Sequence, residues 1–155
     1  MVIAKNIMTK EVITISPSSG ILEAARLATS KSVSSLVVVE KGNTVAVVSE
    51  SDIIKGVISR KAKVRDILNK NFLTLSPETT FYDIIKYGKE KDLRRFPVVE
   101  NGKLVGLITE TDIIETTRDF TRMHQIIQDV ILTIFGIATA FFLFYFSPLR
   151  AAVFG

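Results

Sequence analysis

Short apolar runs alternate with polar, Gly- and Pro-bearing segments through most of the chain, and then the alternation stops in a long apolar stretch. Val12–Ile15 and Phe72–Leu75 read as strands, each closed by a Ser-Pro pair, Ser16-Pro17 and Ser76-Pro77. A proline after an N-cap serine predicts a helix that begins there. The apolar face that follows is Ile21, Leu22, Ala25, Leu27 and Ala28 in one place, and Phe81, Ile84, Ile85 and Tyr87 in the other, both near helical spacing. Two β-rich runs come next, Leu36–Val39 and Val45–Val48, joined through Lys41-Gly42-Asn43-Thr44. Their later counterparts are Phe96–Val99 and Leu104–Ile108, joined through Asn101-Gly102-Lys103. Glycine in so short a connector predicts a hairpin. A second helix is expected from near Asp52 and again from near Asp112, which makes each unit strand–helix–strand–strand–helix.

These two series are one pattern written twice. Sliding the sequence by sixty positions lays Asn6–Ile54 on Asp66–Ile114 without a gap, and fifteen of the forty-nine pairs are identical. Ser49-Glu50-Ser51-Asp52-Ile53-Ile54 falls on Thr109-Glu110-Thr111-Asp112-Ile113-Ile114. A sixty-residue copy has a marginal core by itself, so the two are expected to pack against each other. The organisation read from the chain is residues 1–60 for the first repeat, 61–122 for the second and 123–155 for an apolar C-terminal helix.

Charge divides the chain in the same way. Of 155 residues, all sixteen acids and nineteen of the twenty Lys and Arg lie in Met1–Asp129, and Arg150 is the one charge after that. Val130–Leu149 is uncharged over twenty residues, about 30 Å as a helix, which matches the hydrocarbon core of a bilayer. It is apolar all round, with Tyr145 near one end and Arg118 and Arg122 before it, which predicts a membrane anchor with the repeats on the cytoplasmic side. A helix buried in a dimer interface is the other reading, and it would leave the protein soluble in the cytoplasm. Gly136 and Ala140 give a weak small-xxx-small spacing. The N-terminus has no basic segment followed by an apolar run, so no secretory signal is expected.

Composition removes several chemistries. With no cysteine there is no disulfide framework, thiolate nucleophile, Cys-ligated zinc or Fe–S cluster. His124 is the single histidine, and no Gly-x-Gly-x-x-Gly, Walker loop or nucleophile elbow occurs, so catalysis is not expected. The basic run Lys61–Arg65 reads as a solvated junction. Without tryptophan or interleaved aromatics, nucleic acid is not expected as a partner.

What remains is the repeated corner. Ser49 with Asp52, and Thr109 with Asp112, place a hydroxyl at a strand end and a carboxylate three residues on, at a helix start. Residues of this kind cap a helix, and the same hydroxyl, carboxylate and exposed N–H groups also suit a ribose and an anion. Both readings stand on the residues alone. The whole pattern resembles a tandem cystathionine-β-synthase (CBS) domain pair, or Bateman module. The residues that carry it are Asn6-Ile7-Met8 and Asp66-Ile67-Leu68, the Thr-Ile/Leu-Ser-Pro steps, and Phe96-Pro97-Val98-Val99-Glu100 with Gly102 and Leu104–Asp112. The resemblance implies an α+β fold of two β-α-β-β-α repeats related by a pseudo-two-fold, with sheets facing across a cleft, and commonly a homodimer.

For function it implies a non-catalytic adenine-nucleotide sensor binding AMP, ADP, ATP or S-adenosylmethionine, and acting on a membrane transporter or enzyme partner. The implied contacts are Ser49, Asp52, Thr109 and Asp112 for sugar and phosphate, Thr14, Ile15, Thr74 and Leu75 for the base, and Ser35, Arg95 and Pro97 beside them. Val37, Ala46 and Ser35 stand where the family's usual proline, glycine and Arg95's counterpart are expected, so the second repeat is expected to prefer phosphorylated ligands. A protein-interaction scaffold whose corners serve only as caps is the alternative.

Overall fold

A computed structural model describes residues 1–69 and 71–146. It divides into two compact units, Met1–Ile113 and the segment from Ile114 onward. The end of the apolar run, including Leu149 and Arg150, lies outside the described residues.

Within the first unit the elements are α1 (Ala4–Ile7), β1 (Thr14–Ile15), α2 (Ile21–Lys31), β2 (Ser35–Glu40), β3 (Asn43–Ser49) and α3 (Glu50–Ile58). A 3-10 turn (Val64–Ile67), α4 (Phe81–Lys91), β4 (Arg95–Glu100) and β5 (Lys103–Thr109) follow, and α5 runs over Glu110–Phe146. In the first repeat β1 pairs parallel with β2, and β2 antiparallel with β3. In the second, β4 and β5 form the same antiparallel pair, with a register shift at Val98/Val99 that repeats the one at Val38/Val39.

The predicted strand over Phe72–Leu75 is reduced to one parallel bridge, Leu75 with Val98. Proline explains the difference. Val37 N–H donates to the Ile13 carbonyl at 3.1 Å, while its counterpart Pro97 has no N–H to give. What survives is Leu75 N–H to the Pro97 carbonyl at 2.9 Å and Val99 N–H to the Leu75 carbonyl at 2.8 Å. The predicted strand over Val12–Ile15 is likewise shorter, two residues long.

The Ser-Pro pairs do not start the helices, as the sequence pattern suggests. They open turns: Ser19 N–H donates to the Ser16 carbonyl at 3.1 Å, and Thr79 N–H to the Ser76 carbonyl at 3.0 Å. The serine hydroxyl also accepts from the N–H two residues on, at 3.2 Å and 3.3 Å, the local geometry that makes serine a turn former. The helices begin later, capped by Gly20 and Thr80, and Thr80 Oγ1 accepts from Asp83 N–H at 3.2 Å. Within α2, Leu22 faces solvent, and Ile21, Ala24 and Ala28 form the buried face. Both hairpin turns are tighter than the sequence implied, two residues each. Lys41-Gly42 and Asn101-Gly102 all have positive φ, as a turn matched to strand twist requires.

Each repeat has its own core, and each borrows from the other's side of the junction. Ala4 is buried with Leu75, Ile84, Phe96, Val98 and Ile108 of the second repeat. Sixty residues on, Val64 is buried in the first repeat's core with Ile15, Leu36, Val38 and Val48. Thr9 bridges to Leu107 by a pair of backbone hydrogen bonds, which ties the N-terminal segment to β5. Between the two sheets a third cluster joins Val37 and Val47 to Leu107. The reciprocity of these exchanges is what an approximate two-fold relation predicts.

From Ile114 to Phe146 the second unit is the continuation of α5. Its Ile131, Leu132, Phe135, Ile137, Phe142 and Leu143 side chains are each more than half exposed. By length and composition this helix is sufficient to cross a membrane.

Candidate functional site

The Ser49 corner forms because β3 ends where α3 begins. Ser49 Oγ accepts from Asp52 N–H at 3.2 Å, while Asp52 Oδ2 accepts from Ser49 N–H at 2.9 Å and from Ser49 Oγ at 2.5 Å. The Thr109 corner repeats this, with Asp112 Oδ2 accepting from Thr109 N–H and Thr109 Oγ1, both at 2.7 Å. Reciprocal bonds of this kind satisfy orphan donors at a helix start. The capping reading of these residues is therefore realised in the structure at both corners. In each case one carboxylate oxygen, Oδ2, does the capping.

Beside Ser49 and Asp52 is a cavity of about 190 Å³. Its first wall is Val47, Ser49 and Asp52 from β3 and α3. The second repeat supplies the facing wall, with Asn69, Asn71 and Phe72 from the strap after the 3-10 turn, and Asp92, Arg94 and Arg95 from the α4–β4 junction. Asp92 closes α4 in the left-handed conformation, φ 50°, and so turns the chain sharply into β4.

Arg95 is the residue the sequence assigned to the second corner. Its backbone does lie there, opposite Thr109 in the β4–β5 register. Its side chain instead lines the cavity of the first repeat's corner. Strand alternation explains this: Arg95 shares a face with Pro97, whose counterpart Val37 belongs to the inter-sheet cluster, so this face looks toward the partner sheet. Arg95 Nε is buried and has no hydrogen-bond partner among the described residues. Burying such a donor unpaired costs about 1–3 kcal/mol, and more for a charged group.

The other expected residues are scattered. Ile15 and Leu75 sit in the two hydrophobic cores, and Pro97 is fully buried. Thr14, on β1, and Thr74, in the extended segment before Leu75, are both exposed. Ser35 is buried and pairs with Ser49 in the β2–β3 register. Asn69, Asn71, Phe72, Asp92 and Arg94 escaped the sequence reading. They carry no periodicity, and only the packing of one repeat on the other brings them to the Ser49 corner.

A duplicated β-α-β-β-α unit, with a polar cavity between one copy's helix-start corner and the other copy's strap and strand, defines a paired-domain module. The CBS domain model matches residues 4–59 and 64–119, and the chain belongs to the CBS domain family as a tandem pair. It is 33% identical over 107 residues to the uncharacterized protein MJ1232 of Methanocaldococcus jannaschii, covering 68% of this chain and 36% of that one. It is 32% identical over 111 residues to an inosine-5'-monophosphate dehydrogenase of Korarchaeum cryptofilum, covering 71% of this chain and 23% of that enzyme. The chain thus spans about a third or less of the length of these two curated relatives. Among solved structures, the CBS domain pair of protein MJ0100, in complex with 5'-methylthioadenosine and S-adenosyl-L-methionine, matches with a TM-score of 0.72 and 23% identity. That match covers 77% of this chain and 98% of that one. CBSX2 in complex with AMP matches with a TM-score of 0.67 and 25% identity, over 78% of this chain and 99% of that one.

Proposed function

We propose that this chain is a non-catalytic regulatory module that binds an adenine nucleotide in the Ser49–Asp52 cavity and acts on a partner protein at a membrane. The observation that carries this reading is Arg95, whose Nε has no hydrogen-bond partner among the described residues, lining the same cavity as Asp52. A guanidinium there suits a phosphate, whose oxygens accept from its N–H fork. Asp52, whose Oδ2 already serves the cap, suits a ribose hydroxyl through its other oxygen. The AMP complex of CBSX2 is consistent with this ligand class.

In this reading the nucleotide bridges the two repeats, so it favours whichever arrangement of them closes the cavity. The shift it produces is limited by its differential affinity for the two arrangements. The apolar part of α5 serves as the tether. Its Thr133 and Thr139 hydroxyls donate to the Asp129 and Phe135 carbonyls at 2.7 Å and 2.8 Å, so these polar groups are satisfied within the helix, as lipid requires.

The test is calorimetric titration of the full chain in detergent with AMP, ADP, ATP, S-adenosylmethionine and adenosine. Heat from at least one phosphorylated adenosine, reduced tenfold or more in Arg95→Gln, is the expected result, on the scale of one charge-assisted contact. No heat from any of them overturns the nucleotide reading and leaves the scaffold reading, which the reciprocal caps at both corners favour. The tether is tested separately: the full chain should pellet with membranes and resist carbonate extraction.

A further inference from the structure

Arg94 stands next to Arg95 in the cavity wall, but in a different electrostatic situation. Arg95 has its Nε buried, whereas the Arg94 side chain is 66% exposed and its Nη1 lies 3.5 Å from Glu110 Oε2. Glu110 is 56% exposed and begins α5, one residue after the Thr109 cap. The first repeat has no such pair, because Ser34 stands at the position of Arg94 while Glu50 matches Glu110.

We infer that Arg94 is a specificity residue of the Ser49–Asp52 cavity, shared between a rim position for a second phosphate group and the Glu110 carboxylate. The inference rests on the nucleotide reading above and adds a ligand class to it. Arg95, inside, meets the first phosphate of any nucleotide. Arg94, at the rim, reaches only a chain of two or more phosphates, and to do so it leaves Glu110. That exchange is easy. An exposed ion pair at this distance contributes little, and Glu110 in the first turn of a helix keeps the favourable helix dipole after the arginine departs. Glu110 is thus a competitor that holds down affinity for di- and triphosphates while leaving monophosphate nearly untouched.

The experiment measures AMP and ADP dissociation constants for the full chain in detergent, for the wild type, Glu110→Gln, Arg94→Gln and the double variant. Glu110→Gln should tighten ADP about two- to fivefold, the range of an exposed ion pair, with AMP changed much less. Arg94→Gln should weaken ADP by a similar factor, and in its background Glu110→Gln should have no further effect. Raised salt should shrink these differences. Because the readout is the ADP-to-AMP ratio within each variant, a general loss of stability does not imitate it. An unchanged ratio in both single variants, with AMP and ADP still weakened by Arg95→Gln, overturns this inference alone. Failure of the wild type to bind either nucleotide overturns the nucleotide reading and this inference together.

Discussion

The two repeats share a backbone plan and fill it with different side chains. Where the first repeat has Ala24 and Leu36, the second has Ile84 and Phe96, all four buried. A part of that added volume is offset at two other places, where Ala28 and Ala46 become Gly88 and Gly106. A Cβ on Gly106 would overlap the Met8 side chain, and one on Gly88 would sit 3.2 Å from the Leu93 carbonyl. What stays constant is the backbone: the strand irregularity at Val38/Val39 and Val98/Val99, the positive φ of Ser32 and Asp92, and the two-residue turns. Duplicated folds can redistribute core volume when larger side chains at some positions meet smaller ones at others, because close packing tolerates exchange better than excess or void.

The largest effects should come from deleting the bulk that differs. Phe96→Ala should cost about 3–5 kcal/mol, and its counterpart Leu36→Ala about 2–5 kcal/mol, with Phe96→Ala the larger, as read from urea unfolding of the full chain in detergent. The reverse order would show that the second core does not depend on its larger ring.

Overfilling comes next. Gly106→Ala should destabilise by about 1–3 kcal/mol through collision with Met8, and adding Met8→Ala should restore part of the loss. Ala46→Gly, the exchange in the other direction, should cost only about 1 kcal/mol, from one lost methyl and added chain entropy. Equal costs in both directions would sink the claim that the glycine answers to Met8.

The corners separate structure from binding. Asp52→Asn and Asp112→Asn each remove half of a reciprocal cap and should cost about 0.5–2 kcal/mol of stability by thermal or urea unfolding. Only Asp52→Asn should also weaken AMP, since the cavity beside it holds Arg95. Equal loss of AMP affinity in both variants would move the ligand off that cavity.

The smallest effect is expected at Thr44. Its hydroxyl is buried with no hydrogen-bond partner among the described residues, and Leu104 is its counterpart. Thr44→Val should therefore leave stability unchanged or raise it by up to about 1 kcal/mol. A clear loss would reveal a partner for the hydroxyl.

The duplication, the order of elements, both hairpins and both helix-start corners were legible in the chain because each is a local pattern. Apolar runs of strand length, Gly at a tight turn, and Ser or Thr three residues before Asp all act within a few residues of themselves. Ser16-Pro17 misled for the same reason: a serine before proline opens a turn as readily as a helix, and Gly20 then took the cap. Pro97 was legible as a residue but not in its consequence, the missing ladder bond that leaves Leu75 with a single bridge. Which corner Arg95 lies beside depends on the inter-sheet layer. A strand's alternation says that Arg95 and Pro97 share a face, and only the packing of one sheet on the other says what this face meets. Local hydrogen bonding and hydrophobic periodicity are written along the chain, whereas a cavity is made of surfaces from segments some forty residues apart, whose meeting depends on the burial of both cores at once.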